Sequence, residues 1–259
     1  MSNYELRIVN IIRSRHGTMV LLIAALLMLF AEAHAQTTFV LNSDDDPPYA
    51  TDDFKGICDR VMLEAFRRLG MTLKIARLPS ERALVNVNES IDDGNYSRVE
   101  GLDKQYPNLI RVPEEIAKFE FVAFTGSLKF RTEKWDSLKP YNVGIVTGWK
   151  ILENNVLGTK SLVKVNDAAI LFNLLKQDRA DLVVYDRRQG VLVLKKLNMH
   201  GIHVLEPPLA IKSMYPYLNV KHKELVPRLT ATLREMKKDG TYANIVDEVL
   251  REVFLIKNK

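Results

Sequence analysis

Beyond an unbroken apolar run at residues 19–30, the chain alternates short β-rich stretches with segments whose apolar positions recur at helical spacing. Residues 37–41 read as a first strand, followed by a turn-rich stretch at 42–55. A helix is predicted over 57–69, where Val61, Met62, Ala65, Phe66 and Leu69 fall on one face and Gly70 supplies the stop. Strand 72–78 follows, then a helix from Ser80, read as its cap, to residue 87, and strands at 109–112 and 119–124. A second series begins after the charged stretch 129–139. It consists of strand 143–146, helix 149–156, strand 162–165, helix 168–176 capped by Asp167, strand 182–185 and helix 187–197. A mixed segment containing Pro207 and Pro208 runs to Val220, and helices at 223–238 and 241–253 close the chain. This alternation predicts an α/β protein with no internal repeat.

In open α/β sheets, ligands sit beyond the carboxyl ends of strands, where turns and helix N-termini expose backbone N–H groups. Two places in the second series fit. Thr147, Gly148 and Trp149 join a strand to a helix and could offer donors to an anion. Asp186 directly follows a strand and could offer a carboxylate to a cation. That pairing suits a zwitterion.

The first 35 residues read as a removable address: Arg7, Arg13 and Arg15 precede the apolar run, which ends at the small-x-small site Ala33-His34-Ala35. Twelve apolar residues fall short of the roughly 20 needed to span a hydrocarbon core. The alternative is an uncleaved anchor. Cleavage near Ala35 would remove those three arginines together with Glu5 and Glu32, lowering the net charge of +5 by one unit. No cysteine stands at the expected mature N-terminus to carry a lipid, so a soluble periplasmic product is expected.

The whole chain has 259 residues, 47% of them hydrophobic and 27% charged, with a single cysteine. That composition excludes a disordered tail, a fibre and a disulfide-stapled miniprotein. Cys58 has no intramolecular partner and falls on the apolar side of its helix, which points to burial. The basic residues are scattered, so nucleic acid is not an expected partner. Asp44-Asp45-Asp46 lacks the glycine turn and distal glutamate of an EF-hand loop and reads as a solvated acidic loop. His200 and His203 have no third metal ligand, and no G-x-S-x-G, H-E-x-x-H or phosphate-binding loop is present. No catalytic residue, metal or cofactor is assigned.

Five pieces occur in order along the chain: Pro47-Pro48-Tyr49; Gly56 and Asp59 leading a helix that ends Arg68-Leu69-Gly70; Val143-Gly144 with Thr147-Gly148; the run from Arg179 to Asp186; and the closing Lys238-Asp239-Gly240-Thr241-Tyr242. Together they resemble family 3 of the bacterial extracellular solute-binding proteins, over nearly all of the chain after the address. The resemblance implies a two-lobed periplasmic-binding-protein fold that closes about a hinge on a small polar solute, an amino acid or related carboxylate. Residues 36–124 with 212–259 would form the first lobe, and residues 125–211 an inserted second lobe. The protein would act as a monomer and hand its ligand to a membrane permease of an ABC-type transporter. Alternatives are a sensor reporting to a membrane signalling partner and, on the same fold, a small-carboxylate lyase using Asp186, Glu81 or Glu100.

Residue by residue, the resemblance makes Tyr49 an aromatic that stacks on the ligand, Asp186 the holder of its ammonium, and Thr147, Gly148 and Trp149 the turn facing its carboxylate. Trp149 is a departure, since small hydroxyl residues are common there. The family's strand end and carboxylate-clamping arginine are also missing from the first lobe. Arg98 is the best replacement clamp and Arg82 the second, because a guanidinium meets a carboxylate with two hydrogen bonds. The bland readings are a surface Tyr49, an Asp186 that caps the next helix, and arginines in surface ion pairs.

Overall fold

In this computed structural model, the structure describes residues 38–44 and 46–255. The basic start, the apolar run and the Ala35 cleavage site lie outside the described residues. No helix among the described residues is long and apolar enough to cross a membrane.

The first sheet grows from a parallel unit. Strand β1 (Thr38–Ser43) leads through helix α1 (Ile57–Arg68) to β2 (Thr72–Arg77), which pairs with β1 in parallel from Thr38 and Thr72 to Ser43 and Arg77. Helix α1 forms as the apolar spacing predicts, burying Ile57, Cys58, Val61, Met62, Ala65 and Phe66. Arg67 and Arg68 in its last turn complement the helix dipole. Helix α2 (Ser80–Asn88) and strand β3 (Gly94–Arg98) follow, with β3 parallel to β1, and then the short strand β4 (Leu109–Arg111). Pro79 rather than Ser80 occupies the cap of α2.

The second sheet is built on β5 (Ala117–Thr125). Beyond it come β6 (Asn142–Val146), α3 (Lys150–Asn155), β7 (Ser161–Val165), α4 (Ala168–Lys176), β8 (Leu182–Asp186) and α5 (Arg187–Lys196). Strand β6 is parallel to both β7 and β8, and β8 is antiparallel to β5. Asp167 caps α4 as the sequence predicts, accepting from Ile170 N at 2.7 Å.

The mixed segment proves to be one long strand, β9 (His203–Asn219). Its residues 203–214 pair with β5, and its residues 215–219 pair with β3 and β4. The chain therefore passes between the sheets twice, between β4 and β5 and again along β9. The sheet order is β2-β1-β3-β9-β5-β8-β6-β7, with β4 also on β9. Residues 117–124, expected with the first lobe, pair with β9 and, from Phe121, with β8 in the second sheet, where residues 212–214 pair with β5. Helices α6 (Leu225–Lys238) and α7 (Thr241–Leu250) then return to pack against α1.

Candidate ligand-binding cleft

The loop after β1 is held by the start of α1. Carbonyls of Pro48 and Tyr49 accept from Ile57 N (2.9 Å) and Cys58 N (2.8 Å), so the loop satisfies N–H groups that a helix start leaves open. The approach is so close that a Cβ on Gly56 would lie 2.4 Å from Tyr49 O. Buried Asp59 fixes the far side, accepting from Thr51 N (2.9 Å), Gly56 N (3.2 Å), Tyr96 Oη (2.5 Å) and Arg77 (2.7 Å).

This anchoring aims the loop into a cleft of about 630 Å³ at the carboxyl ends of strands from both sheets. From the first sheet come Ser43, Asp44 and Asp46 at and after the end of β1, and Arg77, Pro79 and Ser80 at and after the end of β2. Facing them are Val146 and Trp149 after β6, Asn166 and Asp167 after β7, and Tyr185 of β8, with Lys196 nearby. Strand ends are where ligands of open α/β sheets are expected. Trp149 and Tyr185 stack with ring centroids 4.4 Å apart and planes 15° from parallel.

Hydrogen bonds cross the cleft. Asp44 accepts from Trp149 Nε1 at 3.0 Å, Asp46 from Tyr185 Oη at 2.7 Å, and Glu81 from Lys150 Nζ at 2.5 Å. Tyr106 Oη also donates to Glu81, at 2.7 Å. Burial works against the Lys150 ammonium, but hydrogen bonds to Glu153 and Glu81 outweigh it and raise its pKa. Gly148, at φ +86, packs directly on the Ser80–Glu81 backbone. The two lobes are closed on one another in this structure.

Arg98 lies beside this contact, bonded within the first lobe. Ser97 adopts φ +72 where the β3–β9 register shifts, and such a bulge re-aims the side chain beside it. The buried guanidinium donates to Asn95 Oδ1 (2.6 Å), Ser80 Oγ (2.6 Å) and Ser80 O (3.2 Å), and it pairs with Asp44 at 2.7 Å. The expected clamp thus holds a carboxylate of its own chain. A void of about 20 Å³, room for one water, lies beside it among Phe119, Phe121, Trp149 and Met214.

The other sequence-predicted residues fall in different places. Tyr49 is 1% exposed and does not line the cleft; its ring packs 4.4 Å from Phe119 and its hydroxyl donates to Lys118 O at 3.1 Å. Other residues of the same loop do line the cleft, Asp44 and Asp46 among them. Asp186 is also buried outside the cleft lining, accepting from Glu120 N and from Gln189 N, each at 3.0 Å, the latter as the cap of α5. Burial pushes its carboxyl up to about 6, against those backbone hydrogen bonds and nearby Arg188. Arg82 is exposed on α2, outside the cleft. Backbone N–H groups of Thr147, Gly148 and Trp149 are taken by Val165 O (2.7 Å), Glu153 Oε1 (3.3 Å) and Val146 O (3.4 Å).

Sequence reasoning missed Asp44, Asp46, Asn166, Asp167 and Tyr185 as cleft residues. Their common signal was position, since each lies at or just beyond the carboxyl end of a predicted strand.

Comparison with known proteins places this geometry. No protein-family model matches the chain. An uncharacterized protein of Shewanella oneidensis is 23% identical over 190 residues, spanning 70% of this chain and 71% of its own. A histidine kinase sensor domain with similarity to periplasmic binding proteins superposes with a TM-score of 0.73 at 17% identity, over 83% of this chain and 97% of its own. The GluR0 ligand-binding core complexed with L-glutamate gives 0.73 at 13% identity, over 83% and 99%. The chain has the two-lobed periplasmic-binding-protein fold. An amino-acid ABC transporter substrate-binding protein of Streptococcus pneumoniae, bound to L-arginine, shares this fold at a TM-score of 0.69 and 15% identity, over 84% and 96%. Solute-binding proteins of the kind the sequence motifs resemble are therefore among its structural neighbours. The fold accounts for both the double passage between sheets and the cleft at the strand ends.

Proposed function

We propose that this protein is a periplasmic solute-binding protein that captures a small polar solute, an amino acid or a related molecule, and presents it to a membrane permease of an ABC-type transporter. The observation that carries this reading is the cleft of about 630 Å³, lined from both sheets by carboxylates and a stacked aromatic pair. Polar groups converging in an enclosed space beside aromatic surface are the usual makings of a small-molecule site. Closure of the lobes shields such a ligand from water and strengthens each polar contact. Binding without turnover is the chemistry this arrangement supports.

A second reading, a ligand sensor for a separate membrane signalling protein, is favoured by the fold shared with a kinase sensor domain. Co-purification of a permease or of a kinase with the protein separates the two. The binding function itself is tested by thermal-shift screening of the folded protein against amino acids, amines and small carboxylates. At least one solute is expected to raise the melting temperature in proportion to the logarithm of its concentration. Silence across the panel would refute the reading.

A further inference from the structure

The cleft's charges are unbalanced. Its lining holds Asp44, Asp46, Asp52, Asp53 and Asp167 against Arg77 and Lys196. Several of these are already matched: Arg77 pairs with buried Asp59, Asp53 with Lys55, and Asp44 with Arg98, each at 2.7 Å. Among the described residues, that leaves Asp46, Asp52 and Asp167 facing one exposed lysine, Lys196.

Asp46 is the most demanding of them. Its hydrogen-bond donor, the Tyr185 hydroxyl, is neutral. Burial, followed by the neighbouring charge of Asp44, raises its pKa above the ordinary carboxylate value, as befits an anion short of a counter-cation. The stacked pair Trp149 and Tyr185 lines the same space and places aromatic surface beside Asp46. The groups suited to a carboxylate are meanwhile spent: Arg98 holds Asp44, and the N–H groups of residues 147–149 are bonded within their own lobe.

Resting on the solute-binding reading, we infer that the cleft selects an organic cation, an amine or guanidinium, and recognises it without needing a carboxylate on the ligand. Asp46 and Asp167 supply the charge, and the Trp149–Tyr185 wall supplies the apolar surface.

The test is calorimetric titration of the protein with agmatine, L-arginine and succinate, which separate the cationic group from the carboxylate. Agmatine is expected to bind within about threefold of L-arginine, since an unneeded carboxylate adds little, and succinate not at all. Both cationic complexes should weaken as salt rises. Asp46→Asn should lower agmatine affinity by about tenfold or more. Asp167→Asn keeps the capping oxygen of α4 and should weaken agmatine severalfold at an unchanged melting temperature, so the effect can be read even if the first variant fails to fold. L-arginine binding ten times tighter than agmatine (about 1.4 kcal/mol) would overturn the inference and leave the solute-binding reading standing. So would binding of succinate, or of a neutral solute where amines fail. A folded protein that binds neither these probes nor any solute of the wider panel removes both.

Discussion

Replacing Gly148 by alanine probes whether the closed cleft exists in solution. A Cβ at residue 148 would sit 2.3 Å from Glu81 N and 2.8 Å from Ser80 C, where ordinary contacts begin at 3.4 Å. Both atoms are backbone, so relief requires the lobes to part by about 1 Å at this point. Gly101 provides the control. It has the same φ of +86, yet among the described residues nothing lies within 4 Å of its would-be Cβ. Gly101→Ala therefore carries the left-handed backbone cost, roughly 1–2 kcal/mol, without the collision. Parting the lobes would loosen three hydrogen bonds that cross the cleft, from Lys150 to Glu81, Trp149 to Asp44 and Tyr185 to Asp46. At about 1 kcal/mol for each such bond, the closed state loses on the order of 3 kcal/mol, or about a hundredfold in its population relative to open forms. The readout is acrylamide quenching of Trp149 in a Trp135→Phe background, because Trp149 is 7% exposed when closed. Gly148→Ala should raise quenching markedly and enlarge the radius of gyration in small-angle scattering, while Gly101→Ala leaves both unchanged. Equal behaviour of the two variants would refute the closed contact.

Asp186 and Gln189 make two further predictions. The folded-state pKa of Asp186, about 6, lies above the ordinary 3.8, so the native state holds the proton more tightly than the unfolded chain. Its contribution is thus fully present below about pH 4 and is lost as pH rises through about 6, amounting to roughly 3 kcal/mol. Urea denaturation at a series of pH values should show wild type losing that much relative to Asp186→Asn; parallel stability curves would contradict the assignment. Gln189 is fully buried, and among the described residues neither its amide nitrogen nor its amide oxygen has a hydrogen-bond partner. Gln189→Met, similar in shape and apolar, should stabilise the fold by about 1–2 kcal/mol, measurable as a higher urea midpoint. A lower midpoint would show that the amide is satisfied in solution.

Much of the fold was legible in the sequence because its information is local. The apolar face of α1, the Asp167 cap of α4 and the strands of the second series appear within a few residues of where the pattern places them. Strand β3 was missed because Gly94-Asn95-Tyr96-Ser97-Arg98 is wholly buried yet mostly polar. Asn95 donates to Asn42 and accepts from Arg98, and Arg98 ties β3 to α2, so partners distant in sequence satisfy what looks like loop composition. Strand β9 was missed for a related reason. Its prolines break the periodicity, and its two ends belong to different sheets, so no single alternating pattern runs along it.

At the cleft, the sequence by itself determined which turns follow strand ends, that Gly148 joins β6 to α3, and that short motifs resemble those of a solute-binding family. These are properties of short segments, set by backbone preference and apolar spacing. Only the tertiary structure decided which side chain of each turn faces the cleft. The anchoring of the first loop on Asp59 and on the start of α1 turns Tyr49 into the core and leaves Asp44 and Asp46 at the cleft. The pairing of β5 with β8 likewise buries Asp186 against a backbone N–H group of its neighbour. Charges that lie far apart in the chain meet only in the folded protein, so the acidic character of the cleft and the capture of Arg98 by Asp44 follow from tertiary assembly, not from any local motif.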